Sequence, residues 1–402
     1  MRSALHRRAK HRHALTGTPA HRRPFGAALA VALVGLAACG SSSSTSAGSA
    51  ATAGTSAGGA TTTGAAASAT TASAATTDAA TTVATSTGKV TLRLGYFPNV
   101  THATALVGVN QGIFASKLGA NVKLETKTFN AGPAAVEALF SDALDATYIG
   151  PNPSINAFVK SKGEAIRIIS GATSGGAFFV VAPAITDAAQ LKGKKVASPQ
   201  LGGTQDVALR AWLATKGLKT DATGGGDVSI IPQDNAQTLE TFKSGVIVGA
   251  WVPEPWASRL VLEGGGHVLV DESTLWPKGQ YVTTQLIVST KFLKAHPDVV
   301  TRLIQGQVAA NDFVNANTAA AQKAANDEIE KITQKRLPDA TITAAWSHLT
   351  FTNDPIASSL TKSAADAQAV GLLDKVDLTG IYDLTILNGV LAAAGKPPVA
   401  AS

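Results

Sequence analysis

The chain reads as an α/β protein of two lobes, each a mostly parallel sheet flanked by helices, with two hinge crossings between them. Three observations predict this. From Lys89 onward, apolar runs of strand length alternate with helical patterns, which argues for βα units. The 314 residues from Lys89 to the last position exceed a typical single domain. A further strand-like run at 282–289 follows a second complete set of such units and reads as the return crossing.

In chain order, residues 90–97 read as a strand, 101–115 as a helix, 121–129 as a strand and 132–143 as a helix. A strand at 145–149, a helix at 153–162 and a strand at 165–170 complete the first series. The second lobe is expected from Pro183. It holds strands at 194–198, 228–231 and 246–252 and helices at 204–216 and 235–243. After the return strand the chain is mostly helical, at 297–316, 319–335, 340–349, 355–371 and 379–394. These Ala-rich helices predict packing onto the first lobe rather than a third domain. The expected boundaries are therefore 89–182 with 285–402 for lobe 1, and 183–284 for lobe 2. An internal echo supports two similar lobes. Phe140 is followed by Pro151-Asn152-Pro153, and Phe242 at the same spacing by Pro253-Glu254-Pro255.

The N-terminus predicts export. Seven basic residues between Arg2 and Arg23, with no acidic one, precede an apolar run at 27–38. Twelve residues are too few to span a bilayer as a helix. The order of basic segment, short apolar core and small residues is that of a signal peptide over 1–38. Leu36-Ala37-Ala38-Cys39 resembles a bacterial lipobox, which implies cleavage before Cys39 and lipidation of its thiol. Arg22-Arg23-Pro24-Phe25 resembles the core of a twin-arginine motif, with poorly matching flanks. Residues 39–88 then comprise the lipidated cysteine and a Gly/Ser/Thr/Ala segment broken only by Asp78 and Val83. Such a composition cannot bury enough apolar surface to offset its ordering entropy, so it predicts a flexible tether with a reach on the order of 40 Å. The expected location is the outer face of the cell membrane, held there by the lipid alone.

Charge and cysteine content exclude several classes. The chain carries 34 basic and 27 acidic residues, a formal charge of +7. The seven basic residues before Cys39 account for all of that excess, leaving 27 of each sign after it. A nucleic-acid binder would need a basic face in its folded part, and this balance offers none. Cys39 is the single cysteine, so there is no intramolecular disulfide and no thiolate metal site. Metalloprotease, P-loop, nucleophile-elbow and dinucleotide motifs are missing, and the four histidines beyond Cys39 (His102, His267, His296, His348) are scattered. No catalytic residue, cofactor or metal is expected.

Four strand-to-helix junctions carry the candidate site, because open α/β sheets bind ligands beyond the carboxyl ends of their strands. They are Phe97-Pro98-Asn99-Val100-Thr101-His102, Asn130-Ala131-Gly132-Pro133, Gly150-Pro151-Asn152-Pro153-Ser154 and Leu201-Gly202-Gly203-Thr204-Gln205. Each sets small or amide-bearing residues before a helix whose free N–H groups favour an anion. Ordinary N-capping accounts for any one of them taken alone. The residues expected to bind are Asn99, His102, Gly132, Asn152, Ser154, Gly202, Thr204 and Gln205, with Ser174 from a nearby turn. Glu254 is added as an acceptor or helix-start guard, and Trp256, like Trp251, as a wall for an organic tail or as core.

Leu94-Gly95-Tyr96-Phe97-Pro98, Ala131-Gly132-Pro133, Leu144-Asp145-Ala146 before Gly150, Leu191-Lys192-Gly193-Lys194-Lys195-Val196-Ala197 and Trp251-Val252-Pro253-Glu254-Pro255-Trp256 together resemble the solute-binding proteins of ABC importers for sulfonates, nitrate and taurine. The likeness covers roughly 90–310. It implies a type II periplasmic-binding-protein fold, a monomer closing around one small anion, and docking to a permease with a cytoplasmic ATPase. One departure is Gly249, where that family often carries Asp. The junctions offer neutral donors and few cations, whereas a divalent phosphate usually recruits Arg. An aliphatic or aryl sulfonate is therefore the preferred solute. Nitrate, bicarbonate and a thiamine-pyrimidine precursor are the alternatives, and a surface enzyme or a tethered receptor on the same fold are the other classes.

Overall fold

A computed structural model describes residues 88–401; the expected signal peptide, Cys39 and the expected tether up to residue 87 lie outside the described residues. The first series of elements is β1 (Val90–Tyr96), α1 (Ala103–Asn110), α2 (Ile113–Leu118), β2 (Val122–Thr128), α3 (Gly132–Phe140), β3 (Ala146–Ile149), α4 (Pro151–Lys160) and β4 (Ile166–Gly175). The second is β5 (Ala177–Val181), β6 (Lys195–Ser198), α5 (Thr204–Thr215), β7 (Ser229–Pro232), α6 (Asn235–Lys243), β8 (Gly249–Pro253), α7 (Trp256–Leu262) and β9 (His267–Asp271). Then come β10 (Val282–Ser289), α8 (Thr290–Ala295), α9 (Pro297–Ala316), α10 (Thr318–Thr333), α11 (Asp339–Ser347), β11 (Leu349–Phe351), α12 (Ala357–Ala369) and α13 (Thr385–Ala393).

Two sheets result, in the orders β2-β1-β3-β10-β4-β11 and β7-β6-β8-β5-β9. The predicted two-sheet α/β class holds, but both sheets are mixed rather than mostly parallel. β1 runs parallel to β2 and β3, and β6 parallel to β7 and β8. The strands that cross between the sheets, β10 and β5, run antiparallel to both of their neighbours. The two sheets share one plan. A parallel trio is followed by an antiparallel strand with which the chain enters that sheet from the other one.

The change of sheet falls at Gly175-Gly176, before the expected Pro183, because Ala177-Phe178-Phe179-Val180-Val181 is a strand of the second sheet. Both glycines take positive φ, 84° and 76°, which other residues adopt only with strain. A Cβ on Gly176 would also stand 2.1 Å from Leu349 Cδ2. The return strand spans Val282–Ser289 as expected, so it begins slightly before the lobe boundary placed at 285. Strands β5, β9 and β11 were not foreseen, and the helix expected over 101–115 is two helices separated at Gly112.

Strand alternation divides each core in two. In the first sheet Tyr148, Leu286 and Val288 face a cluster with α1, α2 and α9, while Ile149 and Ile287 face one with α3 and α4. In the second, Phe179, Val181 and Trp251 pack on one side and Phe178, Val180 and Val252 on the other. Gly249 is buried in β8, where a Cβ would meet Val181 Cγ1 at 2.8 Å. Close packing of β8 on β5 therefore leaves no room there for the family's Asp. The C-terminal helices do pack on the first half, as α9 and α10 do on α1, yet α12 also touches α5 and α11 touches α7. Among the described residues no helix is long and apolar enough to cross a membrane.

Candidate functional site

All four predicted junctions converge on one cavity of about 40 Å³. Asn99, Thr101 and His102 reach it from the turn before α1, Asn130 and Gly132 from the start of α3, and Gly150 and Pro153 from the start of α4. The second half supplies Gln200, Gly203, Thr204 and Gln205 at the start of α5, and Asn235 at the start of α6. Thr283 and Thr284 of the return strand complete the lining.

Ordinary capping does not account for this convergence. The N-cap residues of α3, α4, α5 and α6 (Ala131, Gly150, Gly203 and Asp234) make no side-chain cap hydrogen bond. Among the described α-helices only α8 is capped by the side chain of its N-cap residue, so what marks this place is the meeting of four such open starts. Their positive dipole ends meet at one place, an arrangement that attracts an anion. Two buried side-chain oxygens on the lining, Asn235 Oδ1 and Thr284 Oγ1, have no hydrogen-bond partner. Buried polar atoms are rarely left so, and a ligand or water is the usual partner.

No lysine or arginine lines the inner cavity. His102 does not serve as a cation there. It is 3% exposed, and burial pushes its pKa down to about 3. Its Nδ1 accepts from the Phe97 N–H at 3.3 Å, which places the remaining proton on Nε2 as a neutral donor. The ring lies 4.3 Å from that of Phe97, tilted by 30°. The site therefore holds a ligand by dipoles and neutral donors.

The loop before α5 is braced from behind. Asp206, in the first turn of α5, accepts from Ser198 Oγ at 2.8 Å and from the Gly202 N–H at 3.0 Å. It also pairs with Arg210 Nε at 2.9 Å, with both side chains wholly buried. This ties both ends of the loop carrying Gln200 and Gly203 to the helix. The halves approach closely here: a Cβ on Gly150 would stand 2.3 Å from Thr204 Oγ1.

An outer chamber of about 480 Å³ shares Asn99, Asn130 and Asn235 with the inner cavity. Leu239, Trp256, Ile329 and Leu337 give it apolar walls, with Arg259, Lys335 and Arg336 also on its lining. Trp256 Nε1 donates to Asn99 Oδ1 at 2.9 Å, and the Arg259 guanidinium lies 4.7 Å over the indole. Asn130 Nδ2 donates to Asp234 Oδ2 at 3.0 Å. Both hydrogen bonds cross from one half to the other at the boundary between the chambers.

Several expected residues do not line either chamber. Asn152 is buried but turns away, its Nδ2 donating to Ser363 O at 3.0 Å and tying α4 to α12. Ser154 Oγ donates to Gly150 O at 2.9 Å, one turn back in its own helix. Ser174 Oγ accepts from the Tyr281 N–H near the hinge. Gly202 shapes the α5 loop at φ 72° without facing the cavity. Glu254 takes the helix-start role: its oxygens accept from Ser258 N–H at 3.0 Å and Ser258 Oγ at 2.9 Å. It also meets His348 Nδ1 at 2.7 Å. Trp251 is core, wholly buried against Phe179 and donating to Glu272. Asn99, His102, Gly132, Thr204 and Gln205 stand on the inner cavity, and Trp256 on the outer.

Sequence reasoning missed Asn235, Gln200, Thr283 and Thr284. Asn235 opens a fifth helix after a strand and carried the same signal as the other four junctions. The threonines lie mid-strand, where a β-branched polar residue has no distinguishing context. Among the described residues no group of three or more His, Cys, Asp or Glu side chains is placed to hold a metal ion.

Residues 85–327 match the model of the NMT1-like family, and the chain belongs to that family. It is 29% identical over 232 residues to a putative binding protein of Brucella abortus, covering 57% of this chain and 68% of that one. It is 26% identical over 214 residues to the taurine-binding periplasmic protein of Escherichia coli, covering 53% of this chain and 63% of that one. Its fold is similar to that of the alkanesulfonate-binding protein of Xanthomonas axonopodis pv. citri, solved with MOPS bound. The TM-score is 0.60 at 20% identity, over 72% of this chain and 96% of that one.

Proposed function

We propose that this protein is the extracytoplasmic solute-binding component of an ABC importer, and that its solute is an organic sulfonate. Two lobes carried by the two sheets close around the solute, and the complex docks on a permease driven by a cytoplasmic ATPase. Cys39 is the lipid-bearing residue that keeps this soluble, monomeric trap at the membrane.

The observation that carries the reading is the convergence of uncapped helix starts on a cavity without cations. About 40 Å³ is roughly three times the space one water needs, which suits a headgroup of a few heavy atoms. A singly charged oxyanion is satisfied there by amide, hydroxyl and backbone donors, whereas a doubly charged phosphate would call for Arg. The larger outer chamber with Trp256 suits the organic remainder of a sulfonate and has no use for nitrate or bicarbonate. The taurine-binding relative supports the same solute class.

A thermal-shift and calorimetric comparison tests this on the purified chain. Nitrate, bicarbonate, methanesulfonate, a longer alkanesulfonate and an arylsulfonate are the probes. A ligand at a thousand times its Kd stabilises by about 4 kcal/mol. The reading expects the larger sulfonates to exceed methanesulfonate, and methanesulfonate to exceed nitrate. Stabilisation by nitrate or bicarbonate with none from any sulfonate would overturn the choice of solute, and turnover of a bound compound would overturn the binding-only reading.

A further inference from the structure

A second cavity, of about 540 Å³, lies away from the anion site, between α5 of one half and α12 of the other. Ala208, Ala211 and Ala214 make one wall, with small side chains that leave the trough open. Trp212 and Trp276 give it aromatic faces. Glu272 lies on its lining and is 1% exposed. That carboxylate has only neutral partners, the indole N–H of Trp251 at 2.7 Å and that of Trp276 at 3.4 Å.

The charges on the lining do not balance. Lys362 is its one cation, and it is already paired with Asp366 at 2.5 Å. Glu272 makes no ion pair of its own, and the Lys362 charge reaches it only at a distance. The Lys362 ammonium stands 4.7 Å over the Trp276 ring, so a cation already occupies this aromatic face from within the chain. Apolar walls and a buried carboxylate without an ion pair of its own are together the chemistry that recognises an amphiphilic cation.

We propose that this cavity is a second ligand site, taking an amphiphilic ammonium whose charge meets Glu272 while its apolar body lies along the alanines of α5. Because the walls come from both halves, an occupant fastens α5 to α12 and so couples to the opening of the cleft on the other side of the hinge. The inference is independent of the solute assigned to the anion site.

Burial raises the Glu272 pKa to about 7, so near neutral pH the empty cavity holds this acid partly protonated. An arriving ammonium favours the carboxylate and expels that proton, which gives a readout independent of any variant.

The test uses the full chain with 2-phenylethylamine as probe and phenylacetate as its anionic counterpart, followed by calorimetry and tryptophan fluorescence. Expected are one amine bound with a Kd below about 1 mM, a fluorescence change, and no binding of phenylacetate. Titrations at pH 7 in two buffers of different ionisation heat should show release of a fraction of a proton. Glu272→Gln should weaken the amine at least tenfold, and Ala211→Leu, which fills the trough without touching the acid, should abolish binding. No signal with millimolar amine would overturn the proposal. So would equal binding of phenylacetate, amine binding without proton release, or unchanged affinity in Ala211→Leu.

Discussion

The two halves share a topology, yet they spend their matching third junctions differently. In each, a short strand lies between a parallel neighbour and an antiparallel crossing strand, and a Pro-x-Pro loop follows it. In the first half that loop starts with Gly150, and the missing side chain lets Thr204 of the other half approach. In the second half it holds Glu254 and Trp256. One fastens the start of α7 and meets His348; the other reaches across to Asn99. The first half's junction lets the halves close over the cavity, and the second half's junction clasps them together. A repeated fold thus supplies two equivalent positions, and their side chains decide which one binds and which one holds.

The same contrast extends to the ion pairs behind each half. Asp206 and Arg210 are wholly buried behind α5, whereas Arg93, paired with Asp145 at 2.6 Å, is 34% exposed. Asp206→Ala leaves Arg210 buried and uncompensated, so we expect a loss of about 3–5 kcal/mol in urea unfolding. Arg93→Met should cost less, about 1–2 kcal/mol, because Arg93 is partly solvated and the buried Asp145 keeps its bond from the Arg93 N–H. Equal losses would end the distinction between a braced and an unbraced half.

Gly150→Ala attacks the open junction itself. Its Cβ would collide with Thr204 Oγ1, so closure must be less complete. Affinity for the solute found in the screen should fall at least tenfold, while unfolding of the empty protein changes by less than about 1 kcal/mol. A variant that binds normally would show that the halves need not meet at Thr204. On the clasping side, Trp256→Phe keeps the ring and loses its bond to Asn99. A loss of about 1 kcal/mol, or roughly fivefold in Kd, is expected by calorimetry.

The α/β class, the two sheets and the return strand were legible because apolar periodicity and length carry them. The convergence of the four junctions was legible for a related reason: small residues between a strand and a helix mark the carboxyl ends of strands. Where the reading failed, the deciding partner was distant in sequence. Asn152 faces Ser363, and Glu254 faces His348, contacts over 211 and 94 residues that no local pattern announces. β5 was overlooked because a continuous apolar run lacks alternation. The sheet boundary at Gly175-Gly176 was overlooked with it.

The smallest expected effect is also the most specific to the clasp. The buried Glu254 carboxylate, at 2.7 Å, raises the His348 pKa, with a lesser contribution from Asp271. A histidine whose folded pKa lies above its unfolded value of about 6.5 contributes stability that is fully present below that value. The contribution fades as pH rises through the folded pKa. His348 is 40% exposed, so screening keeps the effect below about 1 kcal/mol. The comparison to make is wild type against His348→Gln, unfolded in urea at half-unit steps from pH 5.5 to pH 9. The stability gap should be widest at the acid end and narrow steadily above neutrality. A gap that widens with pH would mean that the neutral imidazole is the paired form, its Nδ1–H donating to the Glu254 carboxylate. A constant gap would mean that His348 serves the clasp only by packing against Phe178, whose ring lies 4.7 Å from its own.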